Sequence, residues 1–203
     1  MFPVVTINVA QSLNGFVAGP EGKRVIISNS EDLERVDGLR ATSDAILVGA
    51  NTVMLDNPEL SVRNHGGKKP LRVILDRRLR ISQSSRVLDG TSTTLVYTAE
   101  TSRRLENCVL VTLPDEKLTV KNILSDLYAR GVRNLLVEGG PNVIRQFLEA
   151  GVYDRFFIFI GNIIIPEGGV PLFMYEKERR LAYSFVSTLG DGILIKLNRD
   201  SLL

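Results

Sequence analysis

Short apolar runs recur along most of the chain and predict a series of buried strands. The first extends from Pro3 to Ala10 and is rich in β-branched residues. Apolar runs of this length that are bounded by turn-forming residues are typical of strands in the interior of a sheet. The same pattern predicts further strands at 45–48, 71–75, 93–97, 109–111, 134–137, 153–160, 181–188 and 192–198.

Helical spacing of apolar residues separates several of these runs. Ser28 or Ser30 is the expected N-cap of a helix that ends near Thr42, and further helices are predicted over 119–131 and 141–151. The residues at helical spacing in the first helix are Leu33, Val36, Leu39 and Arg40. The clearest helix is the second, which begins at the capping Thr119 and closes at Gly131.

The order of these elements predicts an α/β fold in a single domain over residues 1–203. Strands and helices alternate through most of the sequence, whereas the last third is rich in strands. We therefore expect three layers: a mostly parallel mixed sheet, helices on both faces, and antiparallel strands at the C-terminal end. In open sheets of this kind, ligands bind outside the carboxyl ends of the strands.

Composition and charge exclude several classes of function. The net charge is +2 over 203 residues, and the basic residues are scattered, so we expect no nucleic-acid or membrane partner. Cys108 and His65 are the single residues of their types, which excludes an internal disulfide and a conventional zinc site. The N-terminus lacks the features of a signal peptide, and we expect a cytoplasmic protein.

Two polar segments follow predicted strands and are candidates for ligand contact. The first begins at Gly49 and places Thr52 and Asp56 one helical turn apart. An N-cap followed by an Asn-Pro turn explains the same residues without a ligand. In the second, Glu138 ends a strand and precedes a turn of two glycines, which is a geometry that cradles phosphates. An ordinary tight turn with a solvated carboxylate is the alternative here.

A third segment, 77–86, combines arginines with serine hydroxyls after the strand at 71–75. This chemistry suits the 2′-phosphate that distinguishes NADP from NAD, although a solvated basic loop accounts for it as well. His65 lies among turn-forming residues and is expected in an exposed loop without a role. Cys108 is expected to behave as a small buried hydrophobic residue.

Five motifs in this order and spacing resemble the reductase domain of riboflavin biosynthesis, whose fold is that of dihydrofolate reductase. They are Gln11–Gly15, Leu39–Gly49, Thr52–Arg63, Pro70–Asp76 and Leu136–Gly140. The family uses NADPH to reduce the ribosyl group of a pyrimidinone ribosylamine 5′-phosphate to a ribityl group. Without zinc ligands or a deaminase domain, the sequence is most similar to the stand-alone archaeal and fungal reductases, which are homodimers acting on 2,5-diamino-6-(ribosylamino)-4(3H)-pyrimidinone 5′-phosphate.

The resemblance also implies roles for individual residues. Glu138 matches the active-site glutamate, which would orient or relay a proton during opening and reduction of the sugar. The implied contacts of the phosphorylated substrate are Asn14, Arg40, Leu60 and Arg63. The implied contacts of NADPH are Thr52, Asp56, Ser84, Ser85, Arg86, Gly139, Gly140, Pro141 and Asn142.

Asn14 and Phe16 depart from the family, which usually has Asp and Lys at these positions. An amide at Asn14 can hydrogen-bond but cannot act as a base. Two alternatives therefore stay open: a reductase of the same fold with another small substrate such as dihydrofolate, and a non-catalytic NADPH-binding domain.

Overall fold

The apolar runs assemble into one mixed sheet in the computed structural model, which describes residues 1–66, 69–174 and 181–202. Its nine strands within those ranges lie in the order β10-β11-β8-β1-β7-β3-β4-β5-β6. Their bounds are β1 Val4–Ser12, β3 Ala45–Gly49, β4 Leu71–Leu75, β5 Thr94–Thr98, β6 Val109–Thr112, β7 Asn134–Val137, β8 Arg155–Gly161, β10 Leu181–Leu189 and β11 Gly192–Leu202. The strands from β8 to β6 run parallel to one another, and β10 and β11 are antiparallel.

Helices cover both faces of this sheet and enclose two apolar cores. The four α-helices of the described ranges are α1 Ser30–Thr42, α2 Ala50–Asp56, α3 Val120–Ala129 and α4 Pro141–Ala150. Successive residues of a strand point to opposite faces, so Leu47 packs with α3 and α4 while Ile46 and Val48 pack with α2. Burial on both faces explains why the strands are continuously apolar. The predicted fold class is confirmed.

The first helix differs from its prediction in its cap, and it buries two carboxylates. Asn29, rather than Ser28 or Ser30, is the N-cap, and its side chain accepts a hydrogen bond from the Asp32 backbone N–H at 2.8 Å. Leu33 is 56% exposed, whereas Asp32 and Asp37 are buried. Each of these two carboxylates accepts hydrogen bonds, so neither is buried unpaired.

Two very short strands were not predicted. β2 (Phe16–Ala18) and β9 (Val170–Pro171) pair with each other in a small separate sheet. Segments of three and two residues are too short to show a strand period in the sequence. Within the described ranges, none of the helices combines the length and apolar character that crossing a membrane requires.

Candidate active site

The carboxyl ends of β7, β3 and β4 bring the predicted polar segments to one edge of the sheet. These strands are parallel neighbours, with Leu47 opposite Val137 and Gly49 opposite Leu75. The Glu138 backbone N–H donates to the Leu47 carbonyl at 2.9 Å, which extends this pairing by one residue. Glu138, the start of α2 and the loop after β4 therefore lie side by side, where open α/β sheets bind ligands.

Glu138 is held by the guanidinium of Arg40 from α1. Arg40 Nε lies 3.1 Å from both carboxylate oxygens, and Nη2 lies 2.9 Å from Oε2. The two side chains are 21% and 10% exposed, so this ion pair is shielded from most solvent. Arg40 was predicted to contact the phosphorylated substrate; its guanidinium is directed at Glu138 and, through Nη1, at the Ser61 carbonyl at 3.2 Å.

The turn between β7 and α4 depends on glycine because helix α4 approaches it very closely. A Cβ at Gly139 would lie 2.6 Å from the Val143 Cβ, and one at Gly49 would lie 2.8 Å from its Cγ2. Gly140 is the N-cap of α4 without a side-chain cap, and Pro141 occupies the first turn. The start of this ten-residue helix is thus free of a side-chain acceptor from its cap, which suits an anionic ligand.

Thr52 and Asp56 lie on α2, beside this turn. A Cβ at Gly140 would be 3.5 Å from Thr52 Oγ1, which places the hydroxyl against the turn. Asp56 ends α2 at the surface. Desolvation by neighbouring atoms raises the pKa of Asp56, and the positive charge of Arg24 partly opposes this.

Ser84, Ser85 and Arg86 lie in the segment after β4, and Arg86 is bound to the turn after α2. The Arg86 backbone N–H donates to Asn57 Oδ1 at 2.8 Å, and the Arg86 guanidinium pairs with Glu59. Asn57 itself has a φ of +41°, a left-handed conformation that Asn adopts more readily than most residues. These contacts hold the loops after α2 and β4 against each other at the edge of the candidate site.

Arg63 lies in a loop whose backbone is bound by Asp37 from α1. The Asp37 carboxylate accepts from the N–H groups of Arg63 and Asn64 at 2.7 Å each and of His65 at 3.2 Å. Arg63 is exposed to solvent, and its side chain has no hydrogen bond or ion pair within the described part of the chain. His65 is less isolated than predicted, since its Nδ1 lies 3.1 Å from Asp37 and its Nε2 lies 3.4 Å from Glu34.

Two residues predicted to contact substrate are used elsewhere. Leu60 is 3% exposed and packs in the core beside α2, so its side chain is not presented to a ligand. The Asn14 amide donates to the Ile165 carbonyl at 2.8 Å, and its oxygen accepts from Ile165 N and Ser12 Oγ. Asn14 therefore holds the turn after β1 to the segment after β8.

Sequence reasoning missed Asp37 and Asp76. Asp37 is three residues before Arg40, a spacing that places both side chains on one face of α1. Asp76 follows β4 directly, the same position relative to its strand as Glu138. It is 1% exposed, and its Oδ2 accepts from Ile81 N at 2.9 Å, which shapes the loop leading to Ser84. The sequence signal for Asp37 is its helical spacing from Arg40, and the signal for Asp76 is its position directly after an apolar strand.

Comparison with known proteins identifies a family and relatives of this arrangement. The profile of the RibD C-terminal domain family matches residues 3–195. A 2,5-diamino-6-ribosylamino-4(3H)-pyrimidinone 5′-phosphate reductase from Archaeoglobus fulgidus is 37% identical over 181 residues, which are 81% of this chain and 83% of that protein. The riboflavin biosynthesis protein RibD of Aquifex aeolicus is 32% identical, and the match covers 97% of this chain but only 58% of RibD.

Solved structures give the same picture at the level of the fold. A deaminase/5-amino-6-(5-phosphoribosylamino)uracil reductase from Thermotoga maritima superposes with a TM-score of 0.84 at 28% identity, over 97% of this chain and 56% of that chain. The dihydrofolate reductase of Enterococcus faecalis superposes with a TM-score of 0.53 at 15% identity, over 98% of both chains. The latter likeness concerns the fold alone, and it confirms the predicted dihydrofolate reductase-like architecture.

Proposed function

This chain belongs to the RibD C-terminal domain family, and we propose that it uses NADPH to reduce the ribosyl group of 2,5-diamino-6-(ribosylamino)-4(3H)-pyrimidinone 5′-phosphate to a ribityl group. The observation that carries the proposal is the Arg40–Glu138 pair beside the glycine turn of β7 and α4. The choice of substrate is supported by the archaeal relative, which matches this chain over most of both lengths. The matches to the bacterial RibD proteins cover little more than half the length of those proteins.

The residues at the strand ends fit a dinucleotide. The start of α4 has no side-chain cap, and the two glycines before it place no side chain between the backbone and an approaching pyrophosphate. Thr52, Asp56 and Asn142 supply polar side chains beside it, and Ser84 and Ser85 supply hydroxyls for a 2′-phosphate. The Arg86 guanidinium would add a cation by exchanging its exposed partner Glu59 for the phosphate. When bound, NADPH supplies the hydride for the reduction.

Glu138 is the residue that handles the proton in this proposal. Opening of the ribosylamine breaks the bond between C1′ and the ring oxygen and gives an iminium ion, C1′=N⁺H, and hydride then adds at C1′ to give the amine. The released ring oxygen must gain a proton, and a carboxyl group at the ligand crevice can orient or relay it. Arg40 fixes the Glu138 side chain with three short contacts, so that its carboxylate keeps one orientation while the substrate changes shape.

The substrate phosphate is assigned to Arg63 rather than to Arg40. Arg40 is committed to Glu138, whereas the guanidinium of Arg63 is unpaired within the described ranges. A guanidinium fork suits bidentate binding of a phosphate. Asn14 is given a structural role in the turn after β1, because its amide nitrogen and oxygen are both hydrogen-bonded to the Ile165 backbone and Ser12.

Turnover by the purified protein tests the proposal. We expect NADPH to be consumed when the diamino pyrimidinone phosphate is added, with the ribityl compound as product, and to be consumed faster than NADH. The deaminated aminouracil phosphate and dihydrofolate are the comparison substrates. Binding of NADPH without turnover of any of them would instead identify a non-catalytic domain, and preferential turnover of dihydrofolate would assign another substrate.

We also propose that residues 1–203 act as one reductase domain and that two copies associate. The edge strand β10 supports the second point, since Tyr183, Phe185 and Val186 are 67%, 49% and 55% exposed in the single chain. Exposed apolar residues along an unpaired edge favour burial against a partner. The cytoplasmic location predicted from the sequence stays a prediction.

A further inference from the structure

The loop at 61–65 lies next to the candidate active site and carries Arg63, whose guanidinium is unpaired among the described residues. The Ser61 carbonyl of this loop accepts from Arg40 Nη1 at 3.2 Å, and Arg40 in turn holds Glu138. Arg63 is two residues beyond Ser61 and thus within about 7 Å of it along the backbone. The loop has no regular secondary structure of its own, so other contacts must fix its conformation.

Those contacts come from one carboxylate. Asp37 on α1 has a side chain that is 6% exposed, and it receives the backbone N–H groups of Arg63, Asn64 and His65. His65 Nδ1 lies 3.1 Å from the same oxygen that binds the Asn64 and His65 backbone N–H groups. Burial alone would raise the pKa of Asp37, but the N–H donors of Arg63 and Asn64 outweigh it and hold the pKa well below its usual range.

We propose that Asp37 is a positioning residue for the substrate phosphate, which it serves by fixing the backbone from which Arg63 reaches the ligand. The inference rests on the proposed function, because it assigns a role within the binding of that phosphorylated substrate. Three successive N–H groups converging on one buried carboxylate leave the Arg63 backbone little freedom. A guanidinium on a pre-ordered backbone loses less entropy when it binds.

The position of Asp37 on α1 separates its role from that of Arg40. Both lie on the same face of the helix, three residues apart. Arg40 reaches Glu138, where the chemistry is proposed, whereas Asp37 reaches the loop that carries Arg63. Loss of Asp37 is therefore expected to change the affinity for the substrate and not the rate of the chemical step.

The Asp37→Asn variant tests this inference. It places an amide N–H₂ against backbone donors and is expected to raise KM for the phosphorylated substrate about tenfold or more, with kcat and KM for NADPH nearly unchanged. The same compound without its phosphate should be turned over equally by both proteins. Glu31→Gln is the matched control, since Glu31 is an exposed acidic residue of α1 without a hydrogen bond or ion pair to the loop among the described residues, and it should leave both KM values unchanged.

A second pair of variants keeps the inference testable if Asp37→Asn does not fold. Arg63→Gln changes a side chain at the surface of the loop and is expected to raise KM for the phosphorylated substrate alone. His65→Ala removes one contact to Asp37 but no backbone donor. Alone, it is expected to raise KM for the phosphorylated substrate about twofold to threefold. In the Arg63→Gln protein it should cause no further rise in this KM.

Two results would overturn the proposal while leaving the reductase activity intact. One is an equal rise in KM for the substrates with and without phosphate. The other is a loss in kcat for Asp37→Asn that matches its effect on KM. Absence of turnover by the unmodified protein would instead contradict the proposed function itself.

Discussion

Glu138 and Arg40 illustrate what single residues reveal in a sequence and what they conceal. Each was identified from its motif, Glu138 because it directly follows a buried strand. Their mutual contact was not predicted, since the two residues are separated by 98 positions and meet only when α1 packs against the sheet beside β7. The local sequence pattern predicts where a residue lies on its helix or strand. Which side chains contact one another across elements depends on how those elements pack.

Replacing Glu138 by Gln is expected to lower kcat about 100-fold or more and to leave the affinity for NADPH nearly unchanged. The amide keeps the size of the side chain but cannot take up and release a proton in the same way. Steady-state turnover and direct titration of NADPH measure the two quantities separately. Glu149→Gln on the exposed side of α4 is the control, and equal losses of turnover and affinity would indicate a structural role for Glu138.

At the scale of elements, the turn between β7 and α4 was predictable because its signature is local. Two glycines between an apolar strand and an amphipathic helix mark a tight connection whatever surrounds them. The reason for the first glycine was not visible in the sequence, since it is the approach of Val143 one turn into α4.

The two glycines of this turn are expected to respond differently to alanine. Gly139→Ala forces its Cβ to 2.6 Å from the Val143 Cβ and should lower the free energy of unfolding by about 1–3 kcal/mol. Gly140→Ala meets only Thr52 Oγ1 at 3.5 Å and should fold normally, while weakening NADPH binding at the crowded turn. Urea denaturation and NADPH titration of both variants check this, and similar unfolding free energies would contradict it.

The buried face of helix α1 could not be predicted from the local sequence pattern. Its residues at helical spacing include Leu33, Val36 and Leu39, a pattern that favours an apolar buried face, yet Leu33 is exposed and Asp37 is buried. The carboxylate is compensated by donors from a loop more than twenty residues later, which no local pattern contains. Buried polar groups that bind distant backbone are therefore the features that a sequence pattern is least able to reveal.

For the molecule as a whole, strand and helix order predicted the architecture well. Alternation of elements and an excess of strands near the C-terminus were enough for a mostly parallel sheet with an antiparallel end. The order of the strands in space could not be predicted from the sequence, because it depends on crossovers that skip neighbours. The position of β1 between β8 and β7 is an example.

The proposed association of two chains predicts a solution mass of twice that of one chain. Phe185→Lys on the edge strand β10 should shift the protein towards monomers, because it places a charge among exposed apolar side chains. Val109→Lys on the opposite edge strand β6, where Val109 is 48% exposed, should leave the mass unchanged. Light scattering measures both, and a monomeric unmodified protein would contradict the proposal.

The three-residue separation of Asp37 and Arg40 on α1 fixes the spacing between two side chains that are proposed to act on opposite ends of the substrate. A rise of about 1.5 Å per residue fixes the two side-chain roots about 4.5 Å apart along the axis. One end of that interval governs the loop of Arg63 and the other governs Glu138. Under the proposed function, both contacts depend on the backbone of α1, so a one-residue insertion between Asp37 and Arg40 is expected to disturb them together, because it rotates one side chain about 100° away from the other.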